Sequence, residues 1–245
     1  MIGDERYIDI PQHDPDGTAN AEWLAVRAGL LTSSKIHAAI SKPKPKKDGE
    51  PRKNAPAELA ARIKLREALV FESITGLTMP GYVSEYMERG IELEDTAIMA
   101  YHFKMDVEIR RIGFVLHPTI DKAGASWDGY IPEAKRLVEI KCPAPHTHWS
   151  YLMSGEIPGE YVDQMMWQLA CEPEMVANDF VSYCPQIEPQ LFIRRLHRDN
   201  ARIAEMEAEA VIFLAEVEAL KAEKDKWLKE YAESLKAMRT QEETA

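Results

Sequence analysis

Apolar positions along the chain switch between two periods, and the switches predict the elements. Ala21 to Ile40 carry Trp23, Leu24, Val26, Leu30, Leu31 and Ile36 at helical spacing, interrupted at Gly29 to Thr32. The interruption predicts a turn, with Thr32, Ser33 or Ser34 capping a second short helix. Pro56 opens a predicted helix through Leu59, Ile63, Leu65, Ala68, Leu69 and Phe71 that closes near Gly76. Another, from about Ser84 to Phe103, has Met87, Ile91, Leu93, Ala97 and Ile98 as its expected buried stripe. Alternation then takes over. Val107 to Leu116 predicts one strand, and Ala125–Ile131 and Leu137–Pro143 predict two more joined by a turn-prone spacer. Pro143 and Pro145 end the last of these. Helices are expected near Trp149 to Met153 and from Glu160 to Cys171, the longer one with Val162, Met165, Met166 and Leu169 inward. Phe180–Cys184 and Gln190–Leu196 supply two final strands. Helices, three strands, helices and two strands predict a mixed α/β sheet flanked by helices.

From Arg198 onward Ile203, Met206, Ala210, Phe213, Val217, Leu220, Trp227 and Tyr231 form a heptad-like seam, interrupted at Lys224. The expected organisation is a core over residues 1–197 and a C-terminal helical extension over 198–245. The extension is a helix or helical hairpin packed on the core or on a partner.

Composition narrows the class. With 245 residues, 45% hydrophobic and 29% charged, the chain can bury a sizeable core. A net charge of -11 argues against a general nucleic-acid coat protein, yet leaves room for a nuclease, whose metal site needs acidic groups. The charge is uneven. Residues 199–245 hold twelve acidic against seven basic side chains, whereas residues 42–53 hold six basic against two acidic ones in a Pro-rich loop. That loop is expected to be a solvated segment that can also track phosphates. Three cysteines without CxxC spacing exclude a disulfide framework and suggest a reducing cytoplasm. No signal peptide or membrane span is expected.

The candidate chemistry lies in Ser126-Trp127-Asp128-Gly129 and Glu139-Ile140-Lys141-Cys142-Pro143. Residues two apart on a strand share a face, so Glu139 and Lys141 point together while Ile140 points into the core. If the two strands pair, Asp128 falls on the same side. Two carboxylates, the Ile140 carbonyl and waters suit a hard cation such as Mg2+ or Mn2+, and Lys141 can orient or deprotonate an attacking water. An exposed ion pair on a hairpin is the alternative. His146 and His148 lack further ligands at zinc spacing, and Cys142 faces the core.

In these motifs the chain resembles the phage lambda exonuclease family, the YqaJ-type viral recombinase branch of the PD-(D/E)xK nucleases. Four separated pieces carry the resemblance: Trp23 through Arg27 to Leu31-Thr32-Ser33-Ser34; Gly90-Ile91-Glu92-Leu93-Glu94; the two strand motifs; and Tyr161-Val162-Asp163-Gln164. The resemblance implies a restriction-endonuclease-like fold. It further implies a homotrimeric ring that degrades one strand of double-stranded DNA from the 5′ end with Mg2+, leaving a 3′ tail for a single-strand annealing protein. By the same resemblance Asp128, Glu139, Ile140 and Glu94 bind metal, and Lys141 positions water. Gln164 reaches the active site, and Arg27, Thr32, Ser34 and Ser126 grip the 5′ phosphate. Such a protein would work in the cytoplasm of a bacterial host or be prophage-encoded. Trp127 replaces the family's usual Pro, and Met166 stands where a second glutamine is frequent, although Gln168 shares the face of Gln164. Rivals are another nuclease of the same fold, whether RecB-like or endonucleolytic, and a non-catalytic DNA-end-binding recombination scaffold. An iron–sulfur nuclease would need four cysteines.

Overall fold

The structure, a computed structural model, describes residues 5–14, 18–43, 58–79 and 85–243, the side chains of 85–88 and 240–243 excepted. Seven α-helices appear among these residues: α1 (Ala21–Arg27), α2 (Ser33–Ile40), α3 (Ala60–Thr75), α4 (Glu85–Met105), α5 (Pro145–Ser154), α6 (Gly159–Cys171) and α7 (Asn200–Glu243). Local chemistry sets several of their ends. The Asn20 side chain accepts from the Trp23 amide to cap α1, and Thr32 is the N-cap of α2 through its backbone alone. Gly76 closes α3 in the left-handed region at φ 69°, which a residue without Cβ adopts at no steric cost. Most of the basic loop, residues 44–53, and the expected helix start at Pro56 lie outside the described residues. Lys42 pairs with Glu209 of α7 at 2.5 Å.

Eight strands divide into two four-stranded sheets. The first contains β1 (Tyr7–Ile8), β2 (Leu31–Thr32), β3 (Phe114–Leu116) and β4 (Ala123–Ala125) in the order β1-β3-β4-β2. The second contains β5 (Gly129–Ile131), β6 (Arg136–Lys141), β7 (Ala177–Tyr183) and β8 (Leu191–His197) in sequence order. Pairs β2–β4 and β6–β7 are parallel and the rest antiparallel, so both sheets are mixed.

Three sequence expectations are corrected here. The strand expected over Val107–Leu116 is regular only at Phe114–Leu116, with a single bridge from Arg110 to Tyr130 before it. Gly113 interrupts it because the N-terminal segment crosses there, where a Cβ would sit 1.9 Å from the Ile10 carbonyl. Ala125–Ile131 is two strands in two sheets, broken at Ser126–Asp128. The buried stripe of α4 is Ala97 and Tyr101, flanked by half-buried Leu93 and Ile98, while Ile91 is exposed.

Sheet two is covered on both faces. Val138, Ile140 and Cys142 pack with Ala97 and Tyr101 of α4 on one side. Leu137 joins Met166, Trp167 and Leu169 of α6 in the main core on the other. That main core also takes Ile36 of α2, Leu69 of α3 and the first half of α7. There Ile203, Met206, Ala210, Phe213, Leu214 and Val217 are buried, and each large side chain stabilises by about 1.5–3 kcal/mol. Arg62 and Arg66 of α3 bond both Glu58 and Glu216, tying α3 to α7. The apolar seam of α7 thus divides. Its second half, with Trp227 stacked on Tyr231, is exposed, 59% for Trp227.

Candidate active site

Strand β6 places Glu139 and Lys141 on the face towards α6, as the two-residue period requires. The antiparallel register pairs Gly129 with Val138, which sets Asp128 opposite Glu139. Asp128 Oδ2 accepts from the Ile140 amide at 2.5 Å, and the Asp128 amide donates to the Val138 carbonyl at 3.2 Å. Lys141 Nζ donates to Glu139 Oε1, which also accepts from Gln164 Nε2 at 2.6 Å. Glu139 Oε2 accepts from Gln168 Nε2 at 2.5 Å. Gln164 and Gln168, one turn apart on α6, therefore grip the same carboxylate. Glu139 is 2% exposed, so an unpaired charge there would carry a large desolvation penalty; three donors offset it.

Electrostatics tie the acidic groups together. Burial lifts the pKa of Asp128 well above the carboxylate range, and the nearby charges of Glu139 and Glu94 push it further, against Lys141 and the Ile140 amide. Burial also raises Glu94, opposed chiefly by Arg111, with Asp95 and Glu139 adding to the rise. For Lys141, burial favours the neutral amine, but Glu139 and Asp128 outweigh it and keep the ammonium charged. Burial holds the Cys142 thiol up at about 12, which suits packing and not attack.

Among the described residues no three His, Cys, Asp or Glu side chains converge closely enough to hold an ion as they stand. The reason is visible: both oxygens of Glu139 face nitrogen donors, and Glu94 faces Arg111 at 3.4 Å, a guanidinium that also bonds Asp95 at 2.6 Å. The donor chemistry nevertheless fits a hard divalent ion. Asp128, Glu139 and Glu94 are oxygen donors that repel one another, and a cation among them removes that repulsion. Glu94 lines two adjoining clefts. One continues past Asp128, Trp127, Arg111 and His13, the other past Ile140, Lys141, Pro143 and Tyr161.

A second cluster sits at the junction of α1 and α2. The Arg27 guanidinium lies 3.9 Å over the Trp23 ring, and its contacts to Thr32 Oγ1 (3.4 Å) and Ser34 Oγ (3.5 Å) are long. Its Nε is buried without a partner, and burial lowers its pKa to about 10, against the pull of Glu72. This guanidinium has already been desolvated yet is under-bonded, which favours an incoming anion. The Ser126 carbonyl accepts from Ser33 Oγ (3.4 Å) and Gln168 Nε2 (2.9 Å), joining this cluster to the carboxylates.

Every candidate residue named from the sequence thus falls in one of these two adjoining groups. Missed were the pairing of Arg111 with Glu94, the wall formed by Asp9 and His13, and the buried Asn178 behind Gln168. Arg111, Asp9, His13 and Asn178 lie outside the motifs. Gln168 alone had a signal, its helical spacing from Gln164. Both ring nitrogens of His148 are engaged, by Ser182 and the Pro189 carbonyl.

Fold and site together define the class: a mixed α/β protein with two carboxylates and a lysine gathered at the edge of its second sheet. Two structures of an alkaline exonuclease (LHK-Exo) from Laribacter hongkongensis, one in complex with dAMP, match at 33% identity and TM-score 0.74. Each match covers 88% of this chain and 100% of that one. A phage-related exonuclease from Haemophilus somnus 129PT shares the fold at TM-score 0.61 and 15% identity, over 80% of this chain and 96% of that one. No curated protein matches. Within the class, the chain belongs to the YqaJ-like viral recombinase domain family, whose model matches residues 22–175.

Proposed function

We propose that the chain is a divalent-metal-dependent deoxyribonuclease that degrades one strand of linear double-stranded DNA in the 5′-to-3′ direction, leaving 3′ single-stranded tails for recombination. Family membership and the likeness to alkaline exonucleases support a nuclease role. The observation that carries the chemistry is Glu139 opposite Asp128, bonded at once by Lys141, Gln164 and Gln168.

Asp128, Glu139, the Ile140 carbonyl and Glu94 would hold Mg2+, or Mn2+ in its place. When bound, such an ion makes a water more acidic and offsets charge on a phosphoryl oxygen. Lys141, kept cationic by its two carboxylate neighbours, orients the attacking water and stabilises developing negative charge. Gln164 holds Glu139 in place. Arg27, Thr32 and Ser34, with Ser126 beside them, take the terminal 5′ phosphate, and a phosphate fixed there sets the polarity of degradation. The residues 1–197 would form the nuclease core and 198–245 its helical extension. A homotrimeric ring and a single-strand annealing partner complete the proposal by family resemblance. No helix among the described residues is long and apolar enough to cross a membrane, compatible with a cytoplasmic site of action.

The test is digestion of end-labelled linear and circular duplexes with Mg2+ or with EDTA, alongside sedimentation equilibrium. Loss of label from 5′ ends of linear duplex only, dependent on Mg2+, is expected. Cleavage of circles points to the endonuclease rival, and inactivity with intact DNA-end binding points to the scaffold.

A further inference from the structure

The grip of α6 on Glu139 is itself held from behind. Gln168 is fully buried, and its amide makes three contacts: Nε2 to Glu139 Oε2 (2.5 Å), Nε2 to the Ser126 carbonyl (2.9 Å), and Oε1 from Asn178 Nδ2 (2.6 Å). Asn178 is fully buried on β7, the strand parallel to β6. Its Nδ2 has one further, long contact to the Met165 carbonyl (3.4 Å), and its Oδ1 has no hydrogen-bond partner. An amide can be turned about its last torsion, exchanging donor for acceptor at almost no steric cost. Turned, Gln168 would present a carbonyl oxygen to a carboxylate. The Glu139 carboxylate and the Ser126 carbonyl, both acceptors, hold Nε2 on their side, and Asn178 Nδ2 anchors the Oε1 at the other. Asn178, which touches neither Glu139 nor either cleft, thus supplies the donor that pins the far end of the Gln168 amide.

We propose that Asn178 is a positioning residue for metal binding: through Gln168 it fixes which oxygens of Glu139 remain available to a divalent ion. This rests on the nuclease proposal above. Outer partners of metal-ligating carboxylates typically contribute 10–100-fold in metal affinity, and a relay one residue longer belongs at the lower end, about tenfold. Asn178→Leu leaves Gln168 Oε1 without its donor, but it also removes an unpartnered buried oxygen, which offsets part of that cost to the fold. Asn178→Asp, once its buried carboxyl ionises, sets an acceptor and a charge against Gln168 Oε1, so it then does more damage to metal binding than the leucine.

The experiment measures Mn2+ binding by calorimetry, melting temperature, and hydrogen exchange of the Gln168 side-chain amide by NMR. It uses the wild-type protein, Asn178→Leu, Asn178→Asp, Gln168→Leu and the double variant Gln168→Leu/Asn178→Leu. Expected are about tenfold weaker Mn2+ binding in Asn178→Leu, a larger loss in Asn178→Asp, and no further loss when Asn178→Leu is added to Gln168→Leu. The Gln168 amide protons should be protected in the metal-free wild type and lose protection in both Asn178 variants. Should Asn178→Asp fail to fold, Asn178→Leu and the double variant carry the result. Wild-type Mn2+ affinity in Asn178→Leu, or additive losses in the double variant, overturns the proposal. If the wild type binds no Mn2+, the nuclease proposal fails instead, and the amide protection alone then decides whether the relay exists.

Discussion

Replacing Arg27 tests the phosphate cluster most sharply. Its guanidinium is buried against Trp23, its Nε has no partner, and its hydroxyl contacts at 3.4 and 3.5 Å are too long to be strong. The cost of removing this cation from water has been met in folding, so an incoming phosphate breaks no strong bond to reach it. A charge-assisted hydrogen bond is worth about 1.5–3 kcal/mol, and about 1.4 kcal/mol is tenfold. Arg27→Ala should therefore reduce the preference for 5′-phosphorylated over 5′-hydroxyl ends by about 10–150-fold. Arg27→Lys keeps the charge but loses the planar fork and the stacking on Trp23, and should fall between. The assay is single-turnover degradation of paired linear duplexes differing only in that end group, with melting temperatures as the control for folding. An unchanged ratio in Arg27→Ala, in a protein that melts like the wild type, refutes the assignment.

Lys141→Ala should abolish cleavage while DNA binding in the presence of metal persists, and turnover at the wild-type rate would remove the lysine from the mechanism. The raised pKa of Asp128 has a stability consequence in metal-free protein. Between the ordinary carboxylate pKa, about 4, and its raised value the native state holds a proton that the unfolded chain has released. Stability therefore falls as pH rises through that window. Asp128→Asn should accordingly melt higher than wild type, by a margin that grows with pH and shrinks when Mg2+ is added; a margin independent of pH contradicts this. Phe213→Ala, in the buried half of α7, should cost about 3–5 kcal/mol in denaturant unfolding. Truncation after Ala222, where the helix runs exposed, should cost less than about 0.5 kcal/mol, and a comparable loss in both would show that the distal helix also packs.

What the sequence by itself determined was whatever depends on neighbours a few residues apart. The alternation around Glu139 and Lys141 fixed which of them share a face, Gly76 ended its helix, and the spacing of Gln164 and Gln168 placed both amides on one side of α6. Period is blind to what lies opposite. The seam of α7 reads alike at Phe213 and at Trp227, although one is buried and the other exposed, because periodicity defines a face without specifying a neighbour. Only the tertiary structure brought Gln168 to Glu139, 29 positions away, and Asn178 behind it. It alone broke Ala125–Ile131 between two sheets and gathered Glu139 and Glu94 close enough to Asp128 to raise its affinity for protons. Such contacts depend on how sheets and helices pack in three dimensions, and desolvation, which sets the electrostatics of the site, exists only once that packing has excluded water.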